Sequence, residues 1–354
     1  MPFLTALVVT LAITPLTIYL FTKWGFLIDP KKQQHPAHTH QKPVPKGGGI
    51  PIFLAVAIVS WWFLGKDTHL MAILLAMLIS LVVGVIDDIH GSSPLSRLAF
   101  NFLAAGIVVA SGIGIAFWSS PFGGVIDVSW PRLAFEFMGS KKEIWLLSDL
   151  FALLWIPFLM NAINWSSGID GQVSGVVAIA AAVVGIISLN YSADITQWPV
   201  AILAFALSGA FVGFTFFHFY PQKIMPGYSA TSLAGLLLGV LSILSTAKVG
   251  TLMVVLSLPL LDAIYTGSRR LLSGRSPFLG DRQHLHHRLL EMGWGKRRVT
   301  LFYWGATAVM GYLALVLDAR MKLFAILALG LLMLVFITWR FFGNFLNQPG
   351  RASG

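Results

Sequence analysis

Several polar stretches interrupt an otherwise apolar chain of 354 residues, and their residue types suit the handling of phosphate. The densest is Asp281-Arg282-Gln283-His284-Leu285-His286-His287-Arg288. Arginine grips phosphate bidentately, and imidazole adds donors whether neutral or charged. A phosphate-bearing anion therefore suits this stretch better than zinc, which favours Cys, His or carboxylate ligands at set spacings, in a chain without cysteine. A second stretch, Gly84-Val85-Ile86-Asp87-Asp88, sets two carboxylates side by side at the end of an apolar run. They repel each other and lose hydration there. They either cap the segment or serve as a cation site or base, and because successive helical residues point about 100° apart, at most one is expected to face a site directly.

The third stretch runs Asn161-Ala162-Ile163-Asn164-Trp165-Ser166-Ser167-Gly168-Ile169-Asp170-Gly171. Asn161 and Asn164 are three apart and share a helix face. Gly168 and Gly171 allow a tight turn that presents Asp170. The fourth, from His40 to Gly49, combines Lys42 and Lys46 with proline and glycine. It is either a rigid basic loop for an approaching phosphate or a polybasic segment that meets anionic lipid. Asp262 lies inside an apolar run, either as a functional carboxylate or as a helix-to-helix hydrogen bond.

These stretches need a scaffold, and composition names its class. The chain is 56% hydrophobic and 11% charged, against about 25% charged for a soluble domain. That excludes a soluble globular enzyme, a disordered chain and a disulfide scaffold. Continuous apolar runs, not alternating ones, argue against an outer-membrane barrel. The expected fold is an all-α polytopic membrane protein, a single integral membrane domain over 1–354 with eleven transmembrane helices. The spans are read as 3–22, 50–65, 70–87, 98–118, 145–162, 173–190, 198–217, 229–246, 248–266, 299–317 and 322–340. No cleavable signal peptide is evident. With the N-terminus outside, the inner loops hold 17 of the 24 basic residues, as the positive-inside rule requires, and the C-terminus is cytoplasmic. The net charge of +10 is then explained by these loops and not by nucleic acid. The expected cytoplasmic loops are 23–49, 88–97, 161–172, 218–228 and 267–298, so every polar stretch except Asp262 falls at one face. The external loop 119–144 reads as a structural hairpin or interfacial helix. No half-to-half repeat of the kind common in transporters is visible.

Taken together, these motifs resemble the polyprenyl-phosphate N-acetylhexosamine-1-phosphate transferases, related to the phospho-N-acetylmuramoyl-pentapeptide transferases. The matching pieces are His-Gln-Lys…Pro-Lys…Gly-Gly (40–49), Ile-Asp-Asp with Ser93-Pro94 and Arg97 after it, Asn-x-x-Asn…Gly-Ile-Asp-Gly (161–171), Pro259…Asp262…Arg269-Arg270, and Ser276-Pro277-Phe278…Asp281-Arg282-x-His-x-His-His. The last points to the branch that initiates O-antigen and wall teichoic acid. The resemblance implies transfer of N-acetylhexosamine 1-phosphate, GlcNAc-1-phosphate above all, from a UDP-sugar to undecaprenyl or another polyprenyl phosphate. UMP is released, in the plasma (inner) membrane, with the site on its cytoplasmic face. It implies catalytic roles for Asp87, Asp88 and Asp170. It implies substrate contacts from Lys42, Arg97, Asn161, Asn164, Arg282, His284, His286, His287 and Arg288. It also implies Mg2+, with Mn2+ as its substitute, on Asn164, Asp170 and Asp88, and a homodimer.

Two positions depart from the family pattern. Tyr228, in Ile224-Met225-Pro226-Gly227-Tyr228-Ser229-Ala230-Thr231, stands where the family usually carries its principal magnesium-binding Asp. Ser167 stands where bacterial members commonly have Asp. A phenol is a poor ligand for a hard cation that prefers carboxylates. Either the ion leans on the remaining ligands and the substrate diphosphate, or the chain binds nucleotide-sugar or lipid phosphate without turnover.

Overall fold

The computed structural model describes residues 1–29, 42–137, 140–245, 248–274, 276 and 283–346. The site expectation Arg282, together with Asp281, His40 and Gln41, lies outside these residues. The described chain is mostly helical and polytopic. Eight helices are long and apolar enough to cross a membrane: α1 (Pro2–Lys23), α3 (Thr68–His90), α5 (Leu146–Trp165), α6 (Gln172–Asn190), α7 (Gln197–His218), α8 (Gly227–Leu244), α12 (Lys296–Val316) and α13 (Ala319–Leu346). The shorter α2 (Gly49–Phe63) and α4 (Pro94–Ala110) have 15 and 17 residues, below the roughly 20 that an untilted span requires.

The expected ninth span, 248–266, is not one rod. It breaks into α9 (Lys248–Val255) and α10 (Ser257–Leu272), with a bend of 85°. Pro259 sits in the first turn of α10, where its missing N–H is harmless, whereas inside a continuous helix it would delete a ladder bond. The two halves count as at most one more span, so the described helices give eight or nine against the eleven expected. Within the expected 267–298 loop lies a further short helix, α11 (Leu285–Glu291).

Three two-stranded antiparallel ribbons complete the described structure. β1 (Leu27–Ile28) pairs with β2 (Val44–Pro45) beside the start of α2. The loop between α4 and α5 is built from hairpins: β3 (Phe117–Ser119) pairs with β4 (Val125–Asp127), and β5 (Arg132–Phe137) pairs with β6 (Ser140–Trp145). The hairpin alternative for this loop is the one observed.

α8 is the central helix, with 89% of its span buried against 6% for α13. Its small residues allow this. A side chain at Gly235 would run into the backbone of Met160 on α5, and such close backbone approach is a usual source of helix cohesion in lipid. Local caps set where α3 and α4 start. Asp67 accepts a hydrogen bond from the Leu70 N–H (2.8 Å) and Ser93 from the Ser96 N–H (3.1 Å), with Pro94 just inside α4. The starts of α8 and α11 have no such local side-chain cap.

Candidate functional site

The carboxylates at the end of α3 fill one of those gaps. Asp88 is buried and accepts hydrogen bonds from the Tyr228 N–H (2.7 Å), the Ser229 N–H (3.3 Å) and the Ser229 hydroxyl (2.6 Å). It therefore caps α8 from another helix, placing negative charge on the positive end of the helix dipole. The Ser229 oxygen also accepts from the Gly49 N–H (3.1 Å), which draws the start of α2 to the same point. Lys46, just after β2, attracts Asp88 electrostatically. Asp87 is buried as well, and accepts from Arg97 Nε at 2.7 Å. The two carboxylates face different neighbours, as their offset of about 100° on the helix requires. Helices α8 and α4 flank α3, and each supplies a partner.

Tyr228 points to the same junction. Its hydroxyl donates to Asn101 Oδ1 (2.7 Å) and lies 3.4 Å from the Arg97 carbonyl oxygen. The Arg97 guanidinium carbon sits 5.1 Å from the centre of the phenol ring, within cation–π range.

The turn between α5 and α6 is the hub. Asn164 Oδ1 accepts from the Thr231 hydroxyl (2.9 Å), one turn into α8. Asn161 does not join it; its amide donates to the Pro157 carbonyl of its own helix (2.7 Å). Ser167, at the departed position, donates to the Asn164 carbonyl (2.6 Å) and closes the turn. Gly168 packs against the His286 imidazole so closely that a Cβ would overlap Nε2. Asp170, buried, binds Lys296 Nζ (3.0 Å) and accepts from the Gln222 N–H (3.3 Å), while its carbonyl accepts from the Thr300 hydroxyl (2.8 Å). Residues 164–170 thus touch α8, α11 and α12.

Asp262 does for α11 what Asp88 does for α8. It accepts from the Leu285 N–H and pairs with His284 Nδ1, both at 2.8 Å. The His284 and His286 rings stack at 5.6 Å, and His287 lies 4.3 Å from His286. His286 is buried with neither ring nitrogen hydrogen-bonded among the described residues. Burial first, then the His287 and His284 charges, hold its imidazole well below the ordinary histidine range, so it is neutral at neutral pH. Two expected contacts lie apart from this network. Arg288 turns to the Gln283 carbonyl and the Tyr265 ring. Lys42 is exposed ahead of β2.

Among the described residues, no three His, Cys, Asp or Glu side chains come together as a metal cage. The expected ligands are already occupied: Asp88 by three donors, Asp170 by Lys296 and Gln222, and Asn164 by Thr231. This donor set does not fit an ion held by the protein's own oxygens.

Sequence reasoning passed over several members of the network. Ser229 and Thr231 could have been noticed as polar residues heading an apolar run. Nothing in the sequence marks Asn101, or singles out Lys296 from its neighbours Arg297 and Arg298.

Comparison with known proteins falls on the same region. The family model for glycosyl transferase family 4 matches residues 70–246. A decaprenyl-phosphate N-acetylglucosaminephosphotransferase of Mycobacterium tuberculosis is 28% identical, covering 87% of this chain and 80% of the relative. A probable undecaprenyl-phosphate N-acetylglucosaminyl 1-phosphate transferase of Bacillus subtilis is 26% identical, covering 90% and 84%. A phospho-N-acetylmuramoyl-pentapeptide-transferase of Chlorobium phaeobacteroides is 25% identical, covering 85% and 87%. The matched stretch carries the α3 carboxylates, the α5–α6 turn and the start of α8, and the chain belongs to glycosyl transferase family 4.

Proposed function

We propose that this protein is a phosphoglycosyltransferase that moves N-acetylhexosamine 1-phosphate, GlcNAc-1-phosphate by kinship with the mycobacterial and Bacillus relatives, from a UDP-sugar to a polyprenyl phosphate. A lipid-phosphate oxygen bonds to the sugar-bearing phosphorus, the bond between the two phosphates of the donor breaks, and UMP leaves. The observation that carries the reading is the α5–α6 turn, whose Asn164, Gly168 and Asp170 meet α8, His286 and Lys296 at one end of the bundle. A soluble nucleotide and a bilayer lipid can meet only at such a boundary. The basic loops favour the cytoplasmic face of the plasma membrane.

The chemistry asks mainly for positioning and charge compensation. The attacking phosphate monoester has a second pKa near 6 and is already largely dianionic at neutral pH, so no strong protein base is required. Arg97 and Lys46 lie beside the α3 carboxylates and Lys296 beside Asp170, where cations offset repulsion between two anionic substrates. A neutral His286 offers one donor and one acceptor, suited to a sugar amide or hydroxyl.

Tyr228 favours a second reading, a binder without turnover. Purified protein given undecaprenyl phosphate and a panel of UDP-N-acetylhexosamines, with and without magnesium, decides between them. UMP release with one sugar supports the transferase. Tight binding with no release under any condition supports the binder.

A further inference from the structure

We infer that the junction of α3, α4 and α8 is a phosphate grip built on a fixed protein cation, Arg97, with Tyr228 as the residue that positions it, so that phosphate binds here without a divalent ion. This deepens the proposed function, from which it takes only the ligand class, a phosphate monoester or diphosphate.

Arg97 is restrained on three sides. Its Nε is spent on Asp87 at 2.7 Å, its guanidinium lies over the Tyr228 ring at 5.1 Å, and its backbone carbonyl sits 3.4 Å from the phenol oxygen. The ring is in turn anchored by Asn101, one turn further along α4. With 31% of the side chain exposed, the terminal nitrogens carry no hydrogen bond among the described residues. They remain as a planar fork for two phosphate oxygens. A guanidinium fixed before binding loses little freedom when the ligand arrives.

The carboxylates explain why a metal has little purchase. Asp87 is committed to Arg97, and Asp88 to the donors at the start of α8. An acid at 228 would add a third carboxylate beside them; a phenol adds none and donates its proton to Asn101 instead. With Asp88 answered by a helix terminus, the outer half of Arg97 supplies the positive charge an incoming anion meets.

The test is calorimetric binding to the full-length protein in detergent, with farnesyl phosphate and UDP-GlcNAc as separate probes, each in excess EDTA and in magnesium. At least one probe should bind with the same Kd in both conditions. If it is farnesyl phosphate, the grip holds the lipid phosphate; if UDP-GlcNAc, the diphosphate. Arg97→Gln should weaken that probe by about tenfold to hundredfold, as expected when a bidentate charged contact is lost. Arg97→Lys, which keeps the charge without the fork or the ring contact, should recover only part of this. Tyr228→Phe leaves buried Asn101 without its donor and should weaken binding a few-fold while lowering Tm by about 2–6 °C. Tyr228→Asp should make binding sensitive to EDTA, a signature that a merely structural role would not produce. Loss of all wild-type binding in EDTA with recovery in magnesium overturns the inference, as does failure of both probes to bind in either condition. Metal-independent binding without UMP release would remove the transferase reading and leave the grip standing. Turnover with strictly metal-dependent binding would do the reverse.

Discussion

Replacing Asp88 by Asn tests whether this carboxylate is the cap of α8. The side chain is buried and has two short bonds, 2.6 Å to the Ser229 hydroxyl and 2.7 Å to the Tyr228 N–H, with a longer one of 3.3 Å to the Ser229 N–H. Hydrogen bonds to a charged group contribute about 1.5–3 kcal/mol each. Asparagine keeps one acceptor but loses the charge and turns an N–H toward a donor, so the expected loss is about 2–4 kcal/mol. At roughly 2 °C per kcal/mol for a chain of this size, Tm should fall by about 4–8 °C. Tryptophan fluorescence during heating in detergent reads this directly, since the chain has 12 tryptophans. Ser229→Ala should also destabilise, and the double variant should lose less than the sum, with a coupling of about 1 kcal/mol. If Asp88→Asn abolishes UMP release with Tm unchanged, Asp88 is a free ligand and the capping argument fails.

Lys296→Met strands the buried Asp170 carboxylate, whose side chain is 3% exposed, and should cost about 3–5 kcal/mol; adding Asp170→Asn should recover part of the lost Tm, and no recovery would refute the pairing. Gly168→Ala forces a methyl into the His286 ring and should lower UMP release on the order of 10–100-fold by misplacing α11, whereas full activity would mean that the contact does not position the site. His286 has a folded pKa below its unfolded one because it is buried, so its contribution is complete above about pH 6.5 and is lost as pH falls below that, by up to about 1.4 kcal/mol per pH unit. Thermal scans from neutrality to pH 5 should show a shallower acid loss for His286→Asn than for the wild type; identical slopes would refute the assignment.

Much of the scaffold was legible because apolar runs and bilayer thickness leave few alternatives: each expected span overlaps an observed helix. The break at Leu256 was hidden because Ser257 and Pro259 sit inside an unbroken apolar stretch. The α5–α6 turn was legible too, since its amides, paired glycines and Asp170 exceed what a simple span end needs. Hidden were the partners of each group. Asp88 and Tyr228 are 140 residues apart, and no local pattern links them. Asn161 and Asn164 share a face by spacing, yet Asn161 folds back on its own helix. For Asp262 a helix-to-helix hydrogen bond was one of two readings, and the bonds to His284 and Leu285 realise it.

Borrowed caps also bear on biogenesis. Arg97 emerges ten residues after Asp87 and can neutralise it at once, whereas the hydrogen-bond donors of Asp88 come only with α8. Until then the end of α3 holds a carboxylate without those donors, and such a group resists entry into hydrocarbon. Completion of this end of the bundle therefore depends on a segment 140 residues downstream, which local segments cannot replace.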